Sequence, residues 1–189
     1  MFYKTEAKDH IRVPPELFAL DRGEAIEQCI KRKYDGYISE EVGIVIDLFK
    51  VSEIGEGIII AGDGASYYET TFELFTFKPE LHEVTFGRIK DIADFGAFMN
   101  IGPIEGMIHI SQTMDDFVSF SKDKVLVGKE NKRTLKVGDK CKARIIAVSF
   151  KDLSNPKLGL TMRQPYLGKT EWAEEDDKKE EKPAKKEKK

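Results

Sequence analysis

The residues best suited to chemistry lie in DFGAFMNIGPIEGMIHIS, residues 94–111. Phe95 and Phe98 flank a Gly-Ala pair, and His109 follows in a short apolar run. Aromatic and imidazole rings can stack on nucleobases, because every base offers a π-face. Lys90, Lys157 and Arg163 could then follow the phosphates of a single strand. Taken alone, the two phenylalanines read more readily as core, and each lysine reads as an ordinary solvated side chain. In a regular strand Phe95 and Phe98 would point to opposite faces. A glycine between them permits a bulge that brings both rings to one side. At this level platform and core both stay open.

Other chemistries find less support. The triplet DFG at 94–96 resembles the magnesium-binding triplet of protein kinases, but no phosphate loop, strand lysine or catalytic loop precedes it. GEGIIIAGDG, residues 55–64, lacks both the Walker ending and the dinucleotide glycine spacing. Its glycines Gly55, Gly57, Gly62 and Gly64 read as residues of tight turns or of close backbone approach to another chain. His10, His82 and His109 have no metal-ligand spacing. The carboxylate pairs Asp115-Asp116 and Asp176-Asp177 are consecutive residues in polar segments, without the desolvating context that tunes a catalytic pair. No nucleophile–base constellation is present, so no catalytic residue, metal or cofactor is expected. Cys29 and Cys141 are far apart and outside any CxxC, which reads as two buried free thiols in a reducing cytosol. No apolar run approaches the roughly 20 residues of a membrane span, and the N-terminus has no signal-peptide pattern. A cytoplasmic protein with no membrane partner is the expectation.

The net charge of −3 hides an uneven distribution. Residues 1–80 carry 9 Lys+Arg against 16 Asp+Glu, whereas residues 81–168 carry 14 against 10. An acidic first half and a basic second half suggest different partners, the basic one a polyanion. Hydrophobic patterning agrees with a division near residue 80. The first part predicts a strand at 2–8 and a helix from Pro15 to before Asp35, with Ala25, Ile26, Cys29 and Ile30 on its apolar face. Strands are then predicted at 43–51, 57–61 and 67–77. That order describes an α+β sheet domain with one covering helix. After residue 80, strands are predicted at 84–92, 95–101, 107–110, 138–150 and 157–162, with 112–133 as a polar insertion. Five short strands with a long connection after the third match the small Greek-key barrel of the OB type. The segment 169–189 is almost entirely charged apart from Trp172, and reads as a disordered tail.

These motifs carry a resemblance. FGRIKDIADFGAFMNIGPIEGMIHIS, then LKVGDKCKARIIAVS, then LGLTMR resemble the S1-type RNA-binding domain, an OB-fold variant. The resemblance implies an RNA face formed by Phe95, Phe98, His109, Lys157 and Arg163, with Lys157 the weakest correspondence because SFKDLSNPKL is longer than the usual turn. It moves the phenylalanines from core to platform. The first 80 residues, with MFYK at the start and EEVGIVIDLFKVSEIGEGIIIAGDGASYYETTFELFTFKPELHEV, resemble the family of the archaeal RNA polymerase E-prime subunit, whose eukaryotic counterpart is the seventh subunit of RNA polymerase II. That resemblance covers about residues 1–168 and implies a non-catalytic stalk subunit. Residues 1–80 would dock on the polymerase core through the glycine-rich tip 54–66, residues 81–168 would face emerging RNA, and the partner would be the F subunit of RNA polymerase. An S1-domain protein of the translation or exosome machinery would bind RNA too, but would not need this N-terminal domain. An RNA-modifying enzyme would need a catalytic cluster.

Overall fold

The computed structural model describes residues 1–121, 123–152 and 156–172. The chain divides into two units, one of Met1–Lys78 and one beginning at Pro79.

In the first unit, β1 (Phe2–Val13) is longer than the expected 2–8. Its whole length pairs antiparallel with a later strand, from Phe2 opposite Phe77 to Val13 opposite Ser66. The helix α1 spans Arg22–Tyr34 and not the expected start at Pro15, which instead opens a short 3-10 turn, Pro15–Leu17. Pro14 supplies no side-chain cap, while the Asp21 carboxylate accepts the Gly23 N–H at 2.9 Å. An N-cap acceptor is what a helix start lacks most. Glu24 in the first turn and Lys31, Arg32 and Lys33 in the last suit the helix dipole. Ala25, Ile26 and Ile30 are buried on one face of the helix, against Ile11, Val13, Val45, Phe72 and Leu74.

The strands that follow are β2 (Ile38–Ser39), β3 (Gly43–Ile59) and β4 (Ser66–Phe77), in the sheet order β1-β4-β3-β2. The sequence predicts two strands where β3 is one. Register shifts recur between Val45 and Asp47, Leu48 and Lys50, Val51 and Glu53, and Ile54 and Gly57. Each bulge adds a residue, so Val45, Leu48, Val51 and Ile54, at a spacing of three, all join the cluster that packs beneath the helix. A strand normally repeats every two residues. The bulges erase that signature, and Ile46 and Phe49 are left exposed.

The second unit is a closed barrel. Its strands are β5 (Val84–Ala93), β6 (Gly96–Asn100) and β7 (Glu105–His109), then, after a small separate sheet of β8 (Val118–Ser121), β9 (Val125–Gly128) and β10 (Thr134–Lys136), β11 (Lys140–Ser149) and β12 (Lys157–Thr161). The pairings β5–β6, β6–β7, β7–β12, β12–β11 and β11–β5 close the ring. This is the expected five-stranded OB-type barrel, following an α+β domain in the chain. Ile89, Ile92, Ala97, Met99, Ile108, Ala143, Ile145 and Leu160 fill its interior.

Two expectations are corrected. Segment 112–133 is not a bare polar insertion. Most of the sheet β10-β9-β8 lies within it, around buried Leu126 and Leu135. The strands are so short that β9 and β10 bury one leucine each and β8 buries no side chain, too little for a hydrophobic pattern to show. At the other end, β13 (Gly168–Lys169) pairs with β11, and Trp172 is buried against Gly168 with the Arg133 guanidinium 5.6 Å over its ring. Ordered chain thus continues past residue 168. The expected disordered tail otherwise falls on 173–189, outside the described residues.

Candidate functional site

Alternation along β6 sends Ala97 and Met99 into the barrel and leaves Phe98 on the outer surface. Phe95 is not in the strand. Ala93 pairs with Gly96, so Asp94 and Phe95 form the two-residue turn between β5 and β6. The expected bulge between the phenylalanines is absent, and the irregularity lies on β5 between Ile89 and Asp91. It is the turn that brings the rings together, edge-to-face at 5.9 Å and 86°. Phe95 is 46% exposed. Neither ring belongs to the barrel core. Gly96 is required where it stands, since a Cβ there would lie 2.1 Å from the Ile108 carbonyl oxygen.

On β7 the outward residues are Glu105, Met107 and His109, with Phe98 opposite Met107 and Gly96 opposite His109. The His109 Nδ1 accepts the Ser111 N–H at 3.3 Å and lies 2.8 Å from the Ser111 hydroxyl. An accepting Nδ1 puts the proton of the neutral ring on Nε2. The ring is thereby oriented with a donor to offer a phosphate or a base. Phe98, Met107, His109 and Lys157 line one groove of about 590 Å³, together with Gln112 and Ile146. Apolar rings, one oriented imidazole and a lysine in one groove can stack bases and hold a phosphate.

The other two basic candidates are placed differently. Lys90 is ion-paired with Glu105, which itself lines the groove. Arg163 lies past the end of β12, its Nε 3.0 Å from Asp115, beside a separate pocket with Ser111, Phe117 and Glu130. The groove therefore unites Phe98, His109 and Lys157, with Phe95 attached through Phe98, and leaves Arg163 outside. Sequence reasoning misses Met107 and Gln112. Met107 has a usable signal, because it shares a face with His109 two positions on. Ile146 is itself the extra residue of a β11 bulge that the run ARIIAVS does not reveal.

In the first unit the four glycines divide into two pairs. Gly55 and Gly57 lie inside β3, where a Cβ on Gly57 would come 2.6 Å from the Tyr68 ring. Gly62 and Gly64 lie on the hairpin loop, and Gly62 has φ +92° with open space around it. The loop is braced from below. Arg12 donates two hydrogen bonds to Asp63, at 2.9 and 2.7 Å, and the Tyr67 hydroxyl donates a third at 2.6 Å. The Arg12 and Tyr67 hydrogen bonds hold the Asp63 carboxyl well below the usual carboxylate range. Above this brace Ile58, Ile59 and Ile60 are exposed, Ile59 at 74%.

No cluster of potential metal ligands exists among the described residues, and no helix among them is long and apolar enough to cross a membrane. Cys141 is buried and Cys29 partly so, and both are free thiols.

Comparison with known proteins addresses both units. Residues 8–64 match the SHS2 domain found in the N terminus of Rpb7p/Rpc25p/MJ0397, and residues 78–152 match the S1 RNA binding domain. The DNA-directed RNA polymerase subunit Rpo7 of Sulfolobus acidocaldarius is 35% identical over 93% of this chain and 97% of its own. The Saccharolobus solfataricus protein of the same name is 35% identical over 91% and 97%. The DNA-directed RNA polymerase III subunit RPC8 of Bos taurus is 24% identical over 82% of this chain and 79% of its own.

Proposed function

The chain belongs to the family of the DNA-directed RNA polymerase subunit Rpo7, and from that premise we propose that it is a non-catalytic stalk subunit: it docks on the polymerase core, pairs with the polymerase's F subunit and binds emerging single-stranded RNA. The observation that carries the RNA part is the groove in which Phe98, Met107, His109 and Lys157 converge, with Phe95 stacked edge-on beside them. Stacking of a base on an aromatic side chain contributes about 1–3 kcal/mol, with little sequence preference. Lys157 holds a phosphate, and Lys90 joins it when RNA displaces Glu105. Arg163 acts at the groove's margin, once released from Asp115.

Docking on the core belongs to the first unit, residues 1–80, and the barrel, 81–168, takes the RNA. The support is the tip of the β3–β4 hairpin, where three consecutive isoleucines are exposed above a braced loop. Burying one such side chain contributes about 1.5–3 kcal/mol, so a partner that covers these exposed isoleucines gains appreciably. Gly62 and Gly64 let the loop backbone approach the core closely; Gly55 and Gly57 keep β3 flush with β4 beneath it.

The test is affinity capture with the tagged full chain. Polymerase core and the F subunit should be recovered, and Ile59→Asp should abolish core recovery while RNA binding persists. Recovery of ribosomes or of a nuclease ring in their place would refute the reading.

A further inference from the structure

The barrel carries a second exposed aromatic residue in a setting the first groove does not share. Phe86 on β5 is 68% exposed, and the Lys142 ammonium sits 5.1 Å from its ring centroid. The register of β5 and β11 sets Lys142 opposite Phe86, Arg144 opposite Val84, and Lys140 opposite Arg88. Lys140 and Arg88 are a directly opposed pair of like charges, which is destabilising on a sheet. No ion pair relieves them among the described residues, since the nearby Asp139 is engaged with Lys169. The Arg144 Nε is buried without a hydrogen-bond partner. Among the described residues, four cations around one exposed ring thus lack a negative counterpart.

We infer that this β5–β11 face is a second binding site for single-stranded RNA, with Phe86 stacking a base while Arg88, Lys140, Lys142 and Arg144 hold the adjoining phosphates. The inference rests on the RNA-binding reading of the barrel but on none of the same side chains. Polyanion chemistry is favoured over an apolar protein partner because the charges are of one sign and unpaired among the described residues. Continuity supports it too. β11 presents Lys140, Lys142 and Arg144 along its first half and Ile146 on the groove in its second. A strand leaving the groove at Ile146 meets Arg144 next.

The experiment titrates the full chain with a fluorescent oligouridylate of about 20 nucleotides. Phe86→Ala should weaken binding roughly tenfold. Arg88→Gln/Lys140→Gln should lower the slope of log K against log salt by about 1.4, some 0.7 for each phosphate no longer held. Its melting temperature should hold or rise as the repulsion is removed. Both effects should persist in a Phe95→Ala/Phe98→Ala background, which separates this site from the groove. If the groove variant alone changes nothing, the groove reading fails and this one stands on its own variants. Unchanged affinity and salt slope in both β5–β11 variants would overturn the inference. So would intact RNA binding with loss of the polymerase core or its F subunit from affinity capture, which would make the face a protein interface.

Discussion

On the proposed reading, single side chains set how strongly the groove would attract phosphate. Glu105 is the one carboxylate among the described groove residues, and it holds Lys90. Glu105→Gln should therefore strengthen binding of oligouridylate several-fold at low salt, with the difference shrinking as salt rises. Lys157→Ala should instead flatten the salt dependence by about 0.7 log units, as expected for one phosphate. Equal salt slopes for wild type and Lys157→Ala would remove that lysine from the RNA path. The two cysteines behave as structural residues. Burial pushes the Cys141 thiol up to about 12 and also raises Cys29. At neutral pH neither offers much thiolate. Iodoacetamide should label the native protein slowly, Cys141 slowest of all, and both thiols rapidly once it is unfolded.

At the scale of elements, the hairpin brace and the barrel strands govern behaviour. Asp63→Asn removes the charge that Arg12 clasps, and should raise hydrogen exchange in loop 60–65 and weaken capture of the polymerase core. The pH dependence has a definite sign. A carboxyl held below its unfolded value contributes stability that is present above the unfolded pKa and is lost as pH falls through the folded one. Loop 60–65 should therefore stay ordered through the ordinary carboxylate range and loosen only at more acid pH. Loosening that begins near pH 6 would mean some other group governs the loop. The barrel is legible in the sequence because β5, β6, β7, β11 and β12 carry mostly alternating patterns and the motif residues fall on outward positions. The register of β3 is not legible, since a bulge every third residue gives a spacing that resembles neither strand nor helix. The β8–β10 sheet hides for a different reason: Leu126 and Leu135 are single buried hydrophobic residues at the centres of strands only three or four long. Phe95 beside Phe98 is foreseeable, but through a bulge on β6; a two-residue turn does it instead.

For the whole molecule, the proposed function assigns the acidic unit to the polymerase and the basic unit to RNA. Co-expression with the F subunit should give a single 1:1 species in size-exclusion chromatography, and two separate peaks at micromolar concentration would refute that pairing. If the barrel's aromatic groove holds the transcript, one double variant should show it. Affinity for a fluorescent oligouridylate and melting temperature should both be measured on full-length Phe95→Ala/Phe98→Ala. Removing two stacking rings, at about 1–3 kcal/mol each, predicts an affinity at least tenfold weaker. Because both rings lie outside the barrel core, the melting temperature should remain close to wild type. Unchanged affinity, or a large fall in melting temperature that by itself accounts for the weakening, would contradict the account.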